Sequence, residues 1–281
     1  MDRKEVRAGA LARLRTRIAE IEKTALAARA QEGRAPALWP GLCAPTGVLH
    51  EARAEDWRDA SAATGFALAL AAGIAGGDGA IVIIERAHEA ARDGGLCARG
   101  LCAFGIDPAR ALFIRPRKEE HALWAAEEAA RAKGVAAALL ILRERAARLT
   151  LTATRRLHLA AEESGATPII MRRHDPSDLT AAAMRWRVEP RPSAPPAFDA
   201  RSPGFPRWLV SVEKAARGAS LSARRTFLVE WRHDQRRFVL PVADDRSEAG
   251  AAHSRALLSA SFGRSSPAAN EEGRRGAARA S

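Results

Sequence analysis

Tyrosine is absent from the 281 residues, and aromatic side chains make up only 5%. Each ring that does occur therefore has to be placed, in a core or on a contact surface. Cysteine is scarce and odd in number: Cys43, Cys97 and Cys102, with no CxxC pair. That excludes a disulfide scaffold and leads us to expect a reduced, cytoplasmic protein. No run reaches the roughly 18 apolar residues that a membrane span needs. The opening stretch MDRKEVRAGALARLRTRIAE is charged at close intervals and has no apolar h-region, so it is not expected to be a secretory signal. The histidines show neither HxxxH nor HExxH, and Cys97 and Cys102 with His88 or His121 make no zinc pattern, so no metal site is expected. A GxSxG elbow is missing too, against an α/β-hydrolase.

The most informative absence lies in VLHEARAEDWRDASAATGFALAL, residues 48–70. A strand-like run leads through a loop into an Ala/Leu-rich helix, the place where a nucleotide-binding α/β domain keeps its phosphate loop. Such a loop needs glycines, so that backbone N–H groups can turn inward, and a lysine for the β- and γ-phosphates. Here Arg53, Glu55, Asp56, Arg58 and Asp59 stand instead, no glycine follows until Gly65, and no lysine occurs between Gly47 and Ala72. Three carboxylates repel an incoming triphosphate. The buried strand AAALLIL runs into Arg143-Glu144, so Leu142 or Arg143 occupies the position of the Mg²⁺-holding aspartate. With neither half of the site, no cofactor and no catalysis are expected. The rival is an atypical DNA-dependent ATPase working through Glu85 and Glu144. Glu85, near His88 and Glu89 at the end of AIVIIE, is the best single candidate for a polar site; a capping or ion-pairing acid is its plainer reading.

What is abundant is positive charge. The net charge is +12, carried almost wholly by arginine. Residues 201–240 hold nine basic and three acidic side chains, half of the total excess. Such a surplus fits attraction to a polyanion, DNA above all; a GC-rich genome would give the same composition without a partner. Trp57, Trp186, Trp208 and Trp231 lie among arginines, an interleaving that suits stacking on unpaired bases, although strand spacing puts such rings in a core equally well.

Periodicity gives the organisation. Leu11, Leu14, Ile18 and Ile21 form a narrow apolar stripe on an amphipathic helix over residues 1–32, able to dock on the chain's own core or on a partner's helix. GRAPALWPGLCAPTG reads as a linker over 33–46. Strands are expected at GVLHEA (47–52), AIVIIE (80–85), ALFIRP (111–116), VAAALLIL (135–142) and TPIIMRR (167–173). Helices alternate with them over Ala60–Ala75, Leu96–Phe104, Lys118–Lys133, with Trp124 on its inner side, and Thr152–Ser164. That rhythm means right-handed crossovers and a parallel sheet. Beyond Pro176, MRWRVEPRP, PRWLVSVEKA and RTFLVEWRHDQRRFVLP alternate as half-buried antiparallel strands, the last a hairpin turning at His233–Gln235. The domain is expected to span 47–242, and 243–281 to be a disordered tail.

The run IIERAHEAARDGGLCARGLCAFGIDPARALFIRPRKEEHAL resembles RecA, as do TATRRLHLAAEESGATPIIMRR and LTAAAMRWRVEPRP after it. More closely, residues 40–240 resemble the ImuA family, through GVLHEA, GLCARGLCAFGIDPARALFIRPR, LHLAAEESGATPIIMRR, RWRVEPRPS and RTFLVEWRHDQRRFVL. The resemblance implies an α/β RecA-like core, with a mostly parallel sheet flanked by helices, antiparallel strands at the C-terminal end and an N-terminal helix. It implies a non-catalytic accessory protein of the damage-induced (SOS) response, acting in translesion DNA synthesis and mutagenesis. The partners it implies are an ImuB-type Y-family homologue and an error-prone polymerase III-type alpha subunit, with RecA a further candidate and DNA contacted directly or through them. A SulA-like inhibitor of cell division is the alternative that the same resemblance raises. On this reading, Leu11, Leu14, Ile18 and Ile21 contact a partner, and Arg207, Arg224, Arg225, Arg232, Arg236 and Arg237 contact DNA. RecA's DNA-binding loops have only short counterparts, Arg143–Leu149 and His174–Leu179.

Overall fold

A computed structural model of the chain describes residues 37–39, 42–43, 45–76, 79–173, 179–195, 199, 201–216 and 225–241. The N-terminal helix with Leu11, Leu14, Ile18 and Ile21, the 243–281 tail, and Arg224 lie outside them.

Eleven strands and five helices are described: β1 (Ala37–Trp39), β2 (Leu42–Cys43), β3 (His50–Ala54), α1 (Ala60–Ala75), β4 (Ala80–Glu85), α2 (Ala87–Asp93), α3 (Ala98–Cys102), β5 (Ala111–Ile114), α4 (Glu119–Arg131), β6 (Val135–Leu142), α5 (Leu151–Ser164), β7 (Thr167–Arg173), β8 (Met184–Arg191), β9 (Arg207–Lys214), β10 (Thr226–Arg232) and β11 (Arg237–Val239). Nine strands form one sheet in the order β11-β10-β9-β8-β3-β7-β6-β4-β5. β3 runs parallel to β7 and β8, and β4 and β6 continue the parallel part. β9, β10 and β11 follow as antiparallel neighbours. The chain thus adopts the expected fold class, a mostly parallel sheet flanked by helices with antiparallel strands at its C-terminal end.

The strands that read as unbroken apolar runs are sandwiched between helix layers. Ile81 and Ile83 face α1, while Val82 and Ile84 face α4 and α5. Both faces are dry, so no alternation survives in the sequence. α1 lies across β3, β6, β7 and β8 and buries ten of its sixteen residues. α5 is capped at its start by the Thr150 hydroxyl. It ends at Gly165, whose φ of 81° is the left-handed conformation that favours glycine at a helix C-terminus.

Several expectations need correction. The first parallel strand is His50–Ala54 and not 47–52, which carries Arg53 into the sheet and out of the loop. Within the presumed linker, β1 and β2 pair antiparallel, and Leu38, Trp39 and Leu42 are buried. Trp39 meets Trp186, Phe227 and Phe238 at centroid separations of 6.0, 5.4 and 5.6 Å. The Gly and Pro signals there mark turns around an apolar anchor. An extra helix, α2, precedes a shorter α3. Met184–Arg191 is antiparallel only to β9; towards β3 it is parallel. Trp124 is 61% exposed on α4, because alanines at 122, 125, 126, 129 and 130 form the inner side. Trp186, Trp208 and Trp231 are core residues, 3% exposed or less. The hairpin turns over 233–236, with Arg236 at a φ of 48°.

Replacing Trp39 by alanine removes the ring that ties the β1–β2 pair to the sheet. The expected cost is about 3–5 kcal/mol, as for other buried Trp truncations, read as a lower urea midpoint with an unchanged denaturant slope.

Candidate functional site at the carboxyl edge of the parallel strands

In an open parallel sheet, ligands bind beyond the carboxyl ends of the strands. Here the side chains at that edge are engaged with one another. After β3, the Asp56 carboxylate accepts the Arg58 backbone N–H at 3.1 Å and caps a single 3-10 turn, Trp57–Asp59, which feeds straight into α1. Asp56 and Asp59 thus stand at the positive end of the α1 dipole, the place where a helix would otherwise attract an anion. Trp57 is 62% exposed, with the Arg58 guanidinium 5.2 Å from its ring centroid.

Glu51 of β3 is fully buried and accepts four donors. Arg53 Nε lies 2.9 Å and Arg172 Nε 2.5 Å from Oε1. The Thr180 hydroxyl and Arg185 Nε reach Oε2 at 2.5 and 3.2 Å. Burial alone would raise this carboxyl's pKa, and is the largest single influence. Arg172, the Thr180 hydrogen bond and Arg53 together outweigh it and hold the pKa at about 2. On the opposite face of the strand, His50 donates from Nε2 to the Pro45 carbonyl at 2.9 Å, while Nδ1 accepts the Trp186 indole N–H at 3.3 Å. The second bond requires an unprotonated Nδ1 and hence the neutral ring, whereas the bond to Pro45 would survive protonation. Burial depresses its pKa from 6.5 to about 4, against a smaller opposing pull from Pro45.

Glu85, which ends β4, is held in the same manner. Arg115 Nε and Nη2 approach Oε1 at 2.9 and 2.7 Å, and the Leu96 N–H donates to Oε2 at 3.3 Å. Arg143 Nη1 stands 3.6 Å from Oε2. Gly95 passes so close that a Cβ there would lie 2.9 Å from Arg115 Nη2. The capping and ion-pairing reading of Glu85 is the one its contacts bear out. Beside it, buried Glu89 binds Arg86 and takes the backbone N–H groups of Arg143 and Glu144 at 3.3 and 2.9 Å, clasping the end of β6. Glu144 receives Arg86 at 3.0 Å, His88 Nε2 at 3.1 Å, and Arg92. The His88 and Arg92 hydrogen bonds lower its pKa. Ligand atoms of His88, Glu89 and Glu144 lie within 4.8 Å of one another. Two guanidiniums already occupy those carboxylates, so a cation could enter only by displacing Arg86 and Arg92.

Past β6, an open recess of about 480 Å³ is lined by Arg145, Ala146, Ala147, Leu149, Thr150, Leu151 and Leu179. Leu151 and Leu179 are 50% and 74% exposed.

No family model matches the chain. Two curated relatives, each called protein ImuA and each from a strain of Caulobacter vibrioides, are 33% identical to it over 192 residues. The alignment covers 64% of this chain and 75% of each relative. The chain belongs to the ImuA family. Among solved structures, that of the RadB recombinase is similar to this ImuA-family chain with a TM-score of 0.45 and 11% identity, covering 71% of this chain and 93% of that one.

The arginines expected to meet DNA do not form one uniform patch in this ImuA-family protein. Arg207 and Arg232 converge on buried Glu230 at 2.6 and 2.7 Å, and Arg232 also lies over the Phe205 ring at 4.3 Å. At the hairpin tip, Arg236 Nε donates to the Gly105 carbonyl at 3.0 Å and Arg237 Nε to Gln235 at 2.7 Å. Arg225 is exposed, its carbonyl accepting the Val212 N–H. The sequence reading missed the Glu51 network, although an acid and an arginine two apart within GVLHEARA was the available signal.

His50 and Glu51 both hold protons less readily folded than unfolded. Their stabilisation is complete above the ordinary pKa and lost as pH falls through the folded one. The windows run from 6.5 down to about 4 for His50 and from 4.5 down to about 2 for Glu51. The unfolding free energy read from urea titration is expected to drop in two stages, each on the order of 3 kcal/mol. His50→Gln should flatten the upper stage and Glu51→Gln the lower.

Proposed function

We propose that the chain is a non-catalytic adaptor of damage-induced translesion DNA synthesis, holding together an ImuB-type Y-family homologue and an error-prone polymerase III-type alpha subunit, with RecA a further partner. The observation that carries this reading is membership in the ImuA family. The non-catalytic half draws support from the carboxyl edge. There, Glu85 and Glu89 are each engaged by arginines and backbone N–H groups, Glu51 farther back on β3 is engaged by three arginines and the Thr180 hydroxyl, and the loop before α1 presents acids where a triphosphate would need donors. The adaptor half draws support from large apolar side chains left in solvent: Trp57, Trp124, Leu151 and Leu179. Exposed Trp beside Arg is the composition of an interface anchor. Among the described residues, no helix is long and apolar enough to cross a membrane, in keeping with work on a soluble polymerase complex.

DNA contact, where the chain makes it, would be to the backbone and independent of sequence, so its affinity should fall steeply with salt. Pull-down with the ImuB-type homologue, the polymerase subunit and RecA tests the assignment. The full chain should retain at least the first of these, and removal of residues 1–31 should release it if the Leu11, Leu14, Ile18 and Ile21 stripe is the contact. Retention of none of the three contradicts the adaptor role; undiminished retention by the truncated chain rejects the stripe alone.

A further inference from the structure

In parallel and antiparallel pairing alike, residues opposite one another point to the same face of the sheet. One such row crosses five strands, near the carboxyl ends of β3 and β7 and through the middle of β8. Arg172 of β7 stands opposite Arg53 of β3, and Arg53 opposite Arg187 of β8. Arg187 faces Ser211 of β9, and Ser211 faces Thr226 of β10. Three arginines abreast repel one another, and such a row needs counter-charge. Glu51, one step back on β3, supplies it to Arg53 and Arg172, and Glu213 lies 3.5 Å from Arg53. Arg187 receives none of it. Its side chain makes no hydrogen bond and no ion pair among the described residues, and its Nε is buried without a partner. The acid one row on, Glu189, is held by Arg191 at 3.2 Å.

A half-buried guanidinium with an unmet donor destabilises the free protein. Its surroundings suit an anion. The Ser211 and Thr226 hydroxyls, 3.1 Å apart, lie next along the row; one donates to the other, which leaves the second proton free to turn outward. The two long helices on this face, α4 and α5, lie over β4, β6 and β7. Beyond them Arg187, Glu189, Leu209 and Leu228 are only half-buried, so a ligand can approach along β8 and β9.

We propose that Arg187, with the Ser211 and Thr226 hydroxyls beside it, is the anchor of a seat for a phosphate group. A planar guanidinium flanked by hydroxyls matches a tetrahedral oxyanion through several charge-assisted hydrogen bonds. The phosphate is that of a nucleic-acid backbone or a free phosphate ester. The backbone source rests on the reading of the chain as a DNA-associated protein; the seat itself does not.

The test uses the full-length chain and Arg187→Gln. Binding of a labelled single-stranded oligodeoxynucleotide is followed by fluorescence anisotropy across a salt series, and melting is followed with and without inorganic phosphate. The variant should bind about tenfold more weakly, the size of one charge-assisted hydrogen bond, and its salt slope should be smaller by about 0.7, the loss of one single-strand phosphate contact. In phosphate-free buffer its Tm should equal or exceed that of the natural chain, because a strained charge has gone, and added phosphate should raise it less. Arg187→Lys should keep the salt slope and lose affinity. Oligonucleotide binding by Arg187→Gln with unchanged affinity and slope, together with an unchanged response to phosphate, overturns the seat, as does a Tm lowered in phosphate-free buffer. Arg187-dependent protection by phosphate with no oligonucleotide binding upholds the seat and identifies free phosphate as its ligand, at the expense of the DNA-associated reading.

Discussion

A carboxylate buried at the end of a strand must be met by cations or by N–H groups, because an unmatched interior charge costs several kcal/mol. Glu85 is such a carboxylate at the end of β4, and two more are buried nearby, Glu51 near the start of β3 and Glu89 on α2 beside the end of β6. Satisfying them determines what the edge can be. Glu51 gathers arginines from β3, β7 and β8; Glu85 joins β4 to Arg115 beyond β5; Glu89 reaches from α2 to the end of β6. Neighbouring strand ends become linked by ion pairs, and the crevice that an α/β sheet ordinarily offers a ligand is occupied by the chain's own side chains. The edge acts as a clamp.

That arrangement also explains why the first loop can be acidic. The N-terminus of α1 presents a positive dipole, and Asp56 and Asp59 complement it at short range. In place of a glycine-rich loop, one 3-10 turn joins strand to helix. Outward-facing chemistry is displaced to the periphery. Trp57 and Trp124 stand in solvent, Leu151 and Leu179 rim an open recess, and the face of β8, β9 and β10 carries a half-buried arginine with an unmet donor. These are surfaces that fit molecules of considerable size or charge, as an adaptor in a polymerase assembly would require.

Much of this was legible in the sequence for identifiable reasons. AIVIIE and VAAALLIL lack alternation because both faces of those strands are dry, so their burial could be read directly. The crossover rhythm gave the parallel sheet, and the alternation in RTFLVEWRHDQRRFVL gave the hairpin. The errors have physical causes too. A large apolar ring at 124 reads as an inward residue, but α4 packs through alanines whose small size lets the helix lie close to β6. Residues 37–43 read as linker because Gly and Pro signal turns, while the burial of Trp39 depends on rings contributed from β8, β10 and β11, a long-range fact that no local window contains. The ion pairs joining Glu51 to Arg172 and Arg185 are separated by more than a hundred residues along the chain, and only the register of β3 against β7 and β8 brings them together.

Calorimetric titration of the full-length chain with MgATP, alone and with single-stranded DNA present, addresses the closed edge most directly. The clamp predicts no saturable heat and no release of phosphate at millimolar nucleotide in either case. Saturable micromolar binding accompanied by turnover would mean that the arginines leave Glu85 and Glu89 to admit a nucleotide, and the account of this chain as a scaffold without catalysis would be contradicted.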